Sequence, residues 1–167
     1  MANLGACGRE DAVHGFGRQT RCLLHHQENP PVFSFGELDA GQLQQMLATN
    51  TVAPLMLAQA LAPLLAKGKR PRVFNVSSRL GAIALATSFG TPSYAISKAA
   101  LNMATVQMAH ALQPLGIGVL AASPGWVRTE MGGDKAPVTA RESVHDLLDM
   151  LDRRQDLGAG EFVDRSG

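Results

Sequence analysis

The chain has 167 residues, 46% of them hydrophobic and 17% charged, with a formal net charge of +1. That length suits one domain with a sizeable core, and the composition excludes general disorder. A near-neutral charge with no basic run excludes an electrostatic footprint for nucleic acid, so no nucleic-acid partner is expected.

Two cysteines, Cys7 and Cys22, make no disulfide framework, which fits a reducing, cytoplasmic setting. The first ten residues lack the basic-then-apolar pattern of a secretory leader. The longest apolar run, residues 51–66, is interrupted by Pro54, Gln59 and Pro63 and is shorter than a bilayer span. It reads as a buried helix, and no membrane partner is expected.

Residues 1–35 read as a divergent or poorly ordered segment, with no sustained period of 2 or 3.6. Gly5, Gly8, Gly15 and Gly17 do not form a G-x-G-x-x-G loop, and no apolar strand precedes them. Cys7, Cys22, His25 and His26 lack paired metal-ligand spacing, so no metal is expected.

From Gly36 the pattern changes. Asp39 can cap a helix that runs over 39–66 with apolar residues on more than one side. Pro54 should bend it unless its neighbours absorb the missing hydrogen bond. Residues 72–77, RVFNVS, read as a central parallel strand, followed by a small-residue loop over 81–91. Pro92 suits a first helical turn, and the helix continues over 93–113. Residues 117–122 read as a second buried strand, and 123–129 as a loop at its carboxyl end. Thr139 and Glu142 have the form of a capping box for a helix to about Leu151, and 160–164 is a candidate last strand.

The order helix, strand, helix, strand, helix, strand implies an α/β fold, a Rossmann-like parallel sheet with helices on both faces. Ligands in such sheets sit beyond the carboxyl ends of the strands. Ser78 and the 124–129 loop both follow strand ends, and Tyr94 begins the intervening helix, so three segments converge on one edge. Tyr94 and Lys98 are four residues apart, and a helix stacks such residues on one face. A fixed ammonium beside a phenol of reference pKa ~10 favours the phenolate, which makes the phenol usable in proton transfer. Ser78 can hydrogen-bond a substrate oxygen next to it.

The segments LATNTVAPL around Asn50, VFNVSSRLG around Ser78, YAISKAALN from Tyr94 and ASPGWVRTEMGG from Ser123 resemble the short-chain dehydrogenase/reductase family. Asn50 precedes Ser78 by 28 residues and Tyr94 precedes Pro124 by 30, both in keeping with that family. Ser78 and Tyr94 are 16 apart, which suggests a small insertion in the 81–91 loop. The wording from Gly118 onward is similar to the branch of sniffer-type carbonyl reductases and C-factor proteins. The resemblance covers residues 36–167, a catalytic Rossmann segment that follows the divergent 1–35.

The resemblance implies roles residue by residue. Tyr94 is the general acid–base, Lys98 lowers its pKa and holds the nicotinamide ribose, and Ser78 polarises the substrate carbonyl. Asn50 supports a water that links Lys98 to solvent. Pro124, Gly125, Val127 and Thr129 line the nicotinamide of NAD or NADP, with no preference readable. The bland alternatives are a helix-bending polar residue for Asn50, a turn serine for Ser78 and a helix cap for Thr129. The family's glycine-rich cofactor turn, its adenosine-ribose selector and its Asn-Asn-Ala-Gly element have no counterpart here. The fold therefore reads as incomplete, the C-terminal half of the family's domain.

Two functions follow. One is an NAD(P)-dependent oxidoreductase acting on a small carbonyl or secondary-alcohol substrate. The alternative is a truncated, catalytically inactive protein that keeps only a helix-mediated interaction surface. Either reading carries the family's habit of homo-oligomers built on two helices, here 39–66 and 93–113, with Met103, Ala104, Val106 and their neighbours expected at the contact.

Overall fold

In the computed structural model, which describes residues 19–24, 34–157 and 159–167, four parallel strands form one sheet. Their order is β1 (Gln19–Leu24), β2 (Lys69–Val76), β3 (Gly118–Ser123) and β6 (Phe162–Asp164). A ribbon of β4 (Val127–Arg128) and β5 (Val138–Thr139) stands apart. The helices are α1 (Ala40–Leu47), α2 (Ala53–Leu65), α3 (Pro92–Leu112) and α4 (Ala140–Arg153).

Side chains alternate along the inner strands, as the pleat requires. Val73 and Val119 face the core built with Ala58, Ala62, Ala104, Met108 and Leu112 of α2 and α3. Phe74, Val76, Leu120 and Ala122 face the other core, with Leu147, Met150 and Leu151 of α4. Strands buried on both faces read as near-continuous apolar runs, which is why VLAA in β3 carries no alternation. Arg72, buried in β2, donates from Nη2 to the Arg154 carbonyl at 2.6 Å and from Nη1 to that of Leu151. It thereby satisfies carbonyls that the end of α4 would otherwise leave orphaned.

The helix caps form as the sequence implies. Asp39 accepts from the Gln42 amide at 2.7 Å. Thr139 and Glu142 make the reciprocal capping box at 3.2 and 2.8 Å.

Three features differ from the expectations. Gln19–Leu24, inside the segment read as lacking regular structure, pairs in parallel with β2, Cys22 opposite Val73 and Leu24 opposite Asn75. Its QTRCLL sequence is too short and mixed to show a period, and the ladder comes from its neighbour strand. The glycines at 5, 8, 15 and 17, with Cys7, His25 and His26, lie outside the described residues. Among the described residues no group of His, Cys, Asp or Glu is arranged to hold a metal.

The 39–66 helix is also more exposed than expected. Ala58, Ala62 and Leu65 face inward, while Val52, Leu55, Met56, Leu57 and Leu64 remain exposed. The run read as too short for a bilayer belongs to a helix over Ala40–Leu65, 26 residues with mean hydropathy 1.2, long and apolar enough by those measures alone to cross one. Its inward face packs in the α2–α3 core as a layer helix does. Between α1 and α2 the turn widens into a π-helix over Ala48–Val52. Pro54 has no N–H for the Asn50 carbonyl, and its ring crowds that carbonyl; a wider turn relieves both.

The third difference concerns Ala104. Its small side chain suggests a contact between copies, but Ala104 is 9% exposed and lies in the core against α2. Of the three residues expected at the contact, Met103, 60% exposed, faces outward, and Val106 is half-buried.

Candidate active site

The carboxyl edge of the sheet gathers the residues singled out above. β2 ends at Val76, and Ser78 follows in extended backbone, with its Oγ accepting from the Leu80 amide at 3.2 Å. Two short 3-10 turns, Arg79–Gly81 and Ile83–Leu85, carry the chain on to Pro92, the N1 residue of α3. Tyr94 and Lys98 lie in the first two turns of α3, with 4% and 2% of their surface exposed.

The Ser78 hydroxyl lies close enough to the Tyr94 phenol to bear on its ionisation. Burial raises the Tyr94 phenol above the usual tyrosine value, and the Ser78 hydroxyl pulls it partly back. Lys98 Nζ lies 5.6 Å from the centroid of the Tyr94 ring and donates to the Val76 carbonyl at 3.0 Å. Burial lowers its pKa to about 8. These three side chains therefore meet in one place, an ammonium, a phenol and a hydroxyl.

Asn50 is next to them and not among them. Its Nδ2 donates to Ser97 Oγ at 3.0 Å and contacts Met46 Sδ at 3.1 Å. Ser97 Oγ in turn donates to the Tyr94 carbonyl at 2.8 Å, and Thr51 Oγ1 donates to the Ser97 carbonyl at 2.8 Å. The widened turn of the first helix is thus tied to the turn of α3 that carries both Tyr94 and Lys98.

The loop after β3 starts at the same carboxyl edge of the sheet, since Val76 pairs with Ala122. Ser143 Oγ of α4 donates to the Pro124 carbonyl at 2.8 Å, and the Gly125 amide donates to Ser123 Oγ at 3.3 Å. Gly125 adopts φ +85°, a conformation that favours glycine. Val127 pairs with Val138 in the small ribbon. Thr129 is exposed, its Oγ1 accepting from the Gly132 amide at 3.1 Å. Trp126 Nε1 closes the same turn by donating to the Gly132 carbonyl at 2.8 Å.

Ser97, Ser77, Asn102 and Ser143 were not singled out from the sequence. Asn102 carried the one available signal, since it continues the spacing of Tyr94 and Lys98 by four residues.

Comparisons with known proteins identify the family. The family model for short chain dehydrogenases matches residues 30–139. The C-signal protein of Myxococcus xanthus is 37% identical over 134 residues, covering 80% of this chain and 81% of that protein. The chain belongs to the short-chain dehydrogenase/reductase family. Among solved structures, the carbonyl reductase Sniffer of D. melanogaster superposes with a TM-score of 0.84 at 32% identity, covering 88% of this chain. The NADPH-bound carbonyl reductase from chicken fatty liver gives 0.79, also at 32% identity, covering 87%. The chain spans 64% and 62% of those two proteins respectively, less than two thirds of either.

The residues present can be matched to the nicotinamide end of such a cofactor. Among the described residues Lys98 has one hydrogen bond, to Val76, and an ammonium has three donors. The remaining N–H groups, beside the Tyr94 hydroxyl, suit the hydroxyls of a ribose. For the pyrophosphate, the described residues offer no glycine-rich turn leading into a helix.

Proposed function

We propose that this chain carries the catalytic portion of an NAD(P)-dependent oxidoreductase that interconverts a small carbonyl compound and its secondary alcohol. The observation that carries the reading is the meeting of Ser78, Tyr94 and Lys98 at the carboxyl edge of the sheet. Two structural neighbours, both carbonyl reductases and one NADPH-bound, support it.

When bound, the nicotinamide supplies or takes up the hydride at the substrate carbon. This chain handles the rest. Ser78 hydrogen-bonds the carbonyl oxygen, where negative charge grows during reduction. Tyr94, held in its protonated form by burial, gives its proton to that oxygen. The Lys98 ammonium beside the ring stabilises the phenolate left behind. Asn50 acts at one remove, through Ser97, on the turn that positions both. Pro124, Gly125, Val127 and Thr129 form the wall along which the nicotinamide lies. Oxidation runs the same proton step in reverse.

The substrate enters past an apolar rim that includes Leu80, Ile83, Leu85 and Trp126, all exposed. A compact carbonyl compound with apolar substituents suits that rim.

A second reading has one observation in its favour. A relative that the chain spans over 81% of its length is named C-signal and not by a reaction. On that reading the chain works through the exposed apolar faces of α2 and α3. Consumption of NADPH by the purified chain with a panel of aldehydes and ketones separates the two. Turnover abolished by Tyr94→Phe supports the oxidoreductase. A folded chain with no turnover on any member of the panel, at saturating NADPH, would leave the interaction reading in place.

A further inference from the structure

Helix α3 places Tyr94, Lys98 and Asn102 at successive four-residue intervals, so all three stand on one face. The first two have roles in the proton step, and the third has none so far. Both ends of its carboxamide form bridges. Ser77 Oγ donates to Asn102 Oδ1 at 2.6 Å, and Asn102 Nδ2 donates to the Gly81 carbonyl at 3.2 Å.

Those two attachment points bracket Ser78. One is the residue before it and the other lies three residues after. Between them the chain makes a tight turn, in which the Gly81 amide donates to the Ser78 carbonyl at 2.9 Å. The turn lies directly against α3, because a Cβ on Gly81 would come within 2.6 Å of the Lys98 carbonyl carbon. Ser77 is fully buried, and a buried hydroxyl needs a partner. Satisfying Ser77 requires only the Oδ1 contact, however. The Nδ2 contact on the far side of Ser78 does something else: it fixes both ends of the turn to the helix that carries Tyr94.

We infer that Asn102 is a positioning residue, whose carboxamide holds the 77–81 turn on α3 and so sets the Ser78 hydroxyl beside the Tyr94 hydroxyl. The inference rests on the reading of Ser78 and Tyr94 as the pair that handles the substrate oxygen. It is tested without relying on turnover, because Tyr94 is the only tyrosine in the chain. Its ionisation is followed as a single signal, by NMR of ring-labelled tyrosine across a pH titration.

Loss of the Ser78 hydroxyl in Ser78→Ala should raise the Tyr94 midpoint. Asn102→Leu should raise it in the same direction, and the Ser78→Ala/Asn102→Leu double variant should rise no further than Ser78→Ala alone. Ser77→Ala/Asn102→Leu removes both partners of the buried bond, so it protects the fold, and it should show the same rise as Asn102→Leu. A Tyr94 midpoint unmoved in both Asn102 variants, with Ser78→Ala shifted, overturns the inference and leaves Asn102 a folding role. Shifts that add in the double variant also overturn it. No shift in Ser78→Ala itself overturns both the inference and the Ser78–Tyr94 pairing beneath it. A chain that titrates as described yet reduces no carbonyl compound removes the oxidoreductase reading alone and sustains the positioning role.

Discussion

Lys98 Nζ stands 5.6 Å from the centre of the Tyr94 ring, and its only hydrogen bond among the described residues is to the carbonyl of Val76. The arrangement sets two opposing demands on one buried site. Burial disfavours the charged forms of both groups, so it lowers the lysine and raises the tyrosine. The phenol is therefore an acid at neutral pH, while the ammonium loses its proton within reach of ordinary buffers.

The first prediction concerns stability. The Lys98 pKa falls from 10.5 to about 8 on folding, so between those values the unfolded chain binds more protons than the folded one. Stability from this group therefore increases with pH across that window. From pH 8 to 9.5 the gain is about 1.5 kcal/mol, because the folded lysine is still half protonated at pH 8. The raised Tyr94 acts oppositely, since its contribution is lost as pH rises above its unfolded value of 10.0. Urea unfolding at pH 8 and 9.5 should show the gain in the wild-type chain and not in Lys98→Met. Equal pH dependence in the two proteins would remove Lys98 as its source.

The second prediction concerns the pH dependence of reduction. Tyr94 stays protonated up to high pH, but the cation beside it does not. The rate of carbonyl reduction should fall as pH passes about 8, where Lys98 becomes neutral. Tyr94→Phe should lower turnover by 10²–10⁴-fold, the range typical of general acid catalysis. A profile flat from pH 7 to 9.5 would show that the Lys98 charge is not used in the step.

A third prediction isolates the fit of the Ser78 turn against α3. Gly81→Ala places a Cβ 2.6 Å from the Lys98 carbonyl carbon and 2.7 Å from its Cβ, so the turn must lift. Overpacking of this kind costs about 1–3 kcal/mol. Gly90→Ala is the control in the same connection, with nothing within 4 Å of the added carbon. Thermal unfolding should register the first substitution as a clear drop and the second within about 0.5 kcal/mol of wild type.

The sequence was informative where structure is set locally. Asp39, Pro92 and the Thr139–Glu142 pair announce helix starts because capping is a contact over three residues or fewer. The two inner strands show themselves by apolar runs, and the alternation of elements orders the sheet. Ser78, Tyr94 and Lys98 could be grouped because parallel α/β sheets put ligand-binding loops at one edge. Long-range pairing was not legible. The bond from Asn50 to Ser97 spans 47 positions and that from Ser77 to Asn102 spans 25, and no periodicity encodes them. β1 was hidden for the same reason, since its ladder depends on β2. The exposed side of α2 was hidden by composition: a helix apolar all round gives no sign of which face meets the core.

A fourth prediction follows from the uneven cofactor site. On the proposed function, nicotinamide and ribose would meet Tyr94, Lys98 and the Pro124–Thr129 loop, whereas no G-x-G-x-x-G turn occurs in the sequence. The 167-residue chain should bind NADPH with a dissociation constant of roughly 1 mM, about 4 kcal/mol. Trp126, the only tryptophan, sits in the loop beside the site and reports binding through its fluorescence. Saturation at micromolar NADPH would mean that residues 1–18 seat the pyrophosphate in a way their sequence does not disclose.

The fifth prediction is self-association through the outer faces of α2 and α3. Val52, Leu55 and Met56 lie on or beside α2, and Ile96 and Met103 lie on α3; all five are exposed. Neighbouring helices with this much uncovered apolar surface favour burial against a second copy. Light scattering at tens of micromolar should give a dimer or larger species, as the sequence reading of helices 39–66 and 93–113 expects. The choice of variant decides what the experiment means. Ala104→Glu would drive a carboxylate into the α2–α3 core and unfold the chain, so its failure to associate would say nothing about the surface. Met56→Glu and Met103→Glu alter exposed positions, and each should keep the melting temperature while shifting the chain toward monomer. A wild-type chain that is monomeric at that concentration, or an oligomer indifferent to both substitutions, would rule this face out as the contact.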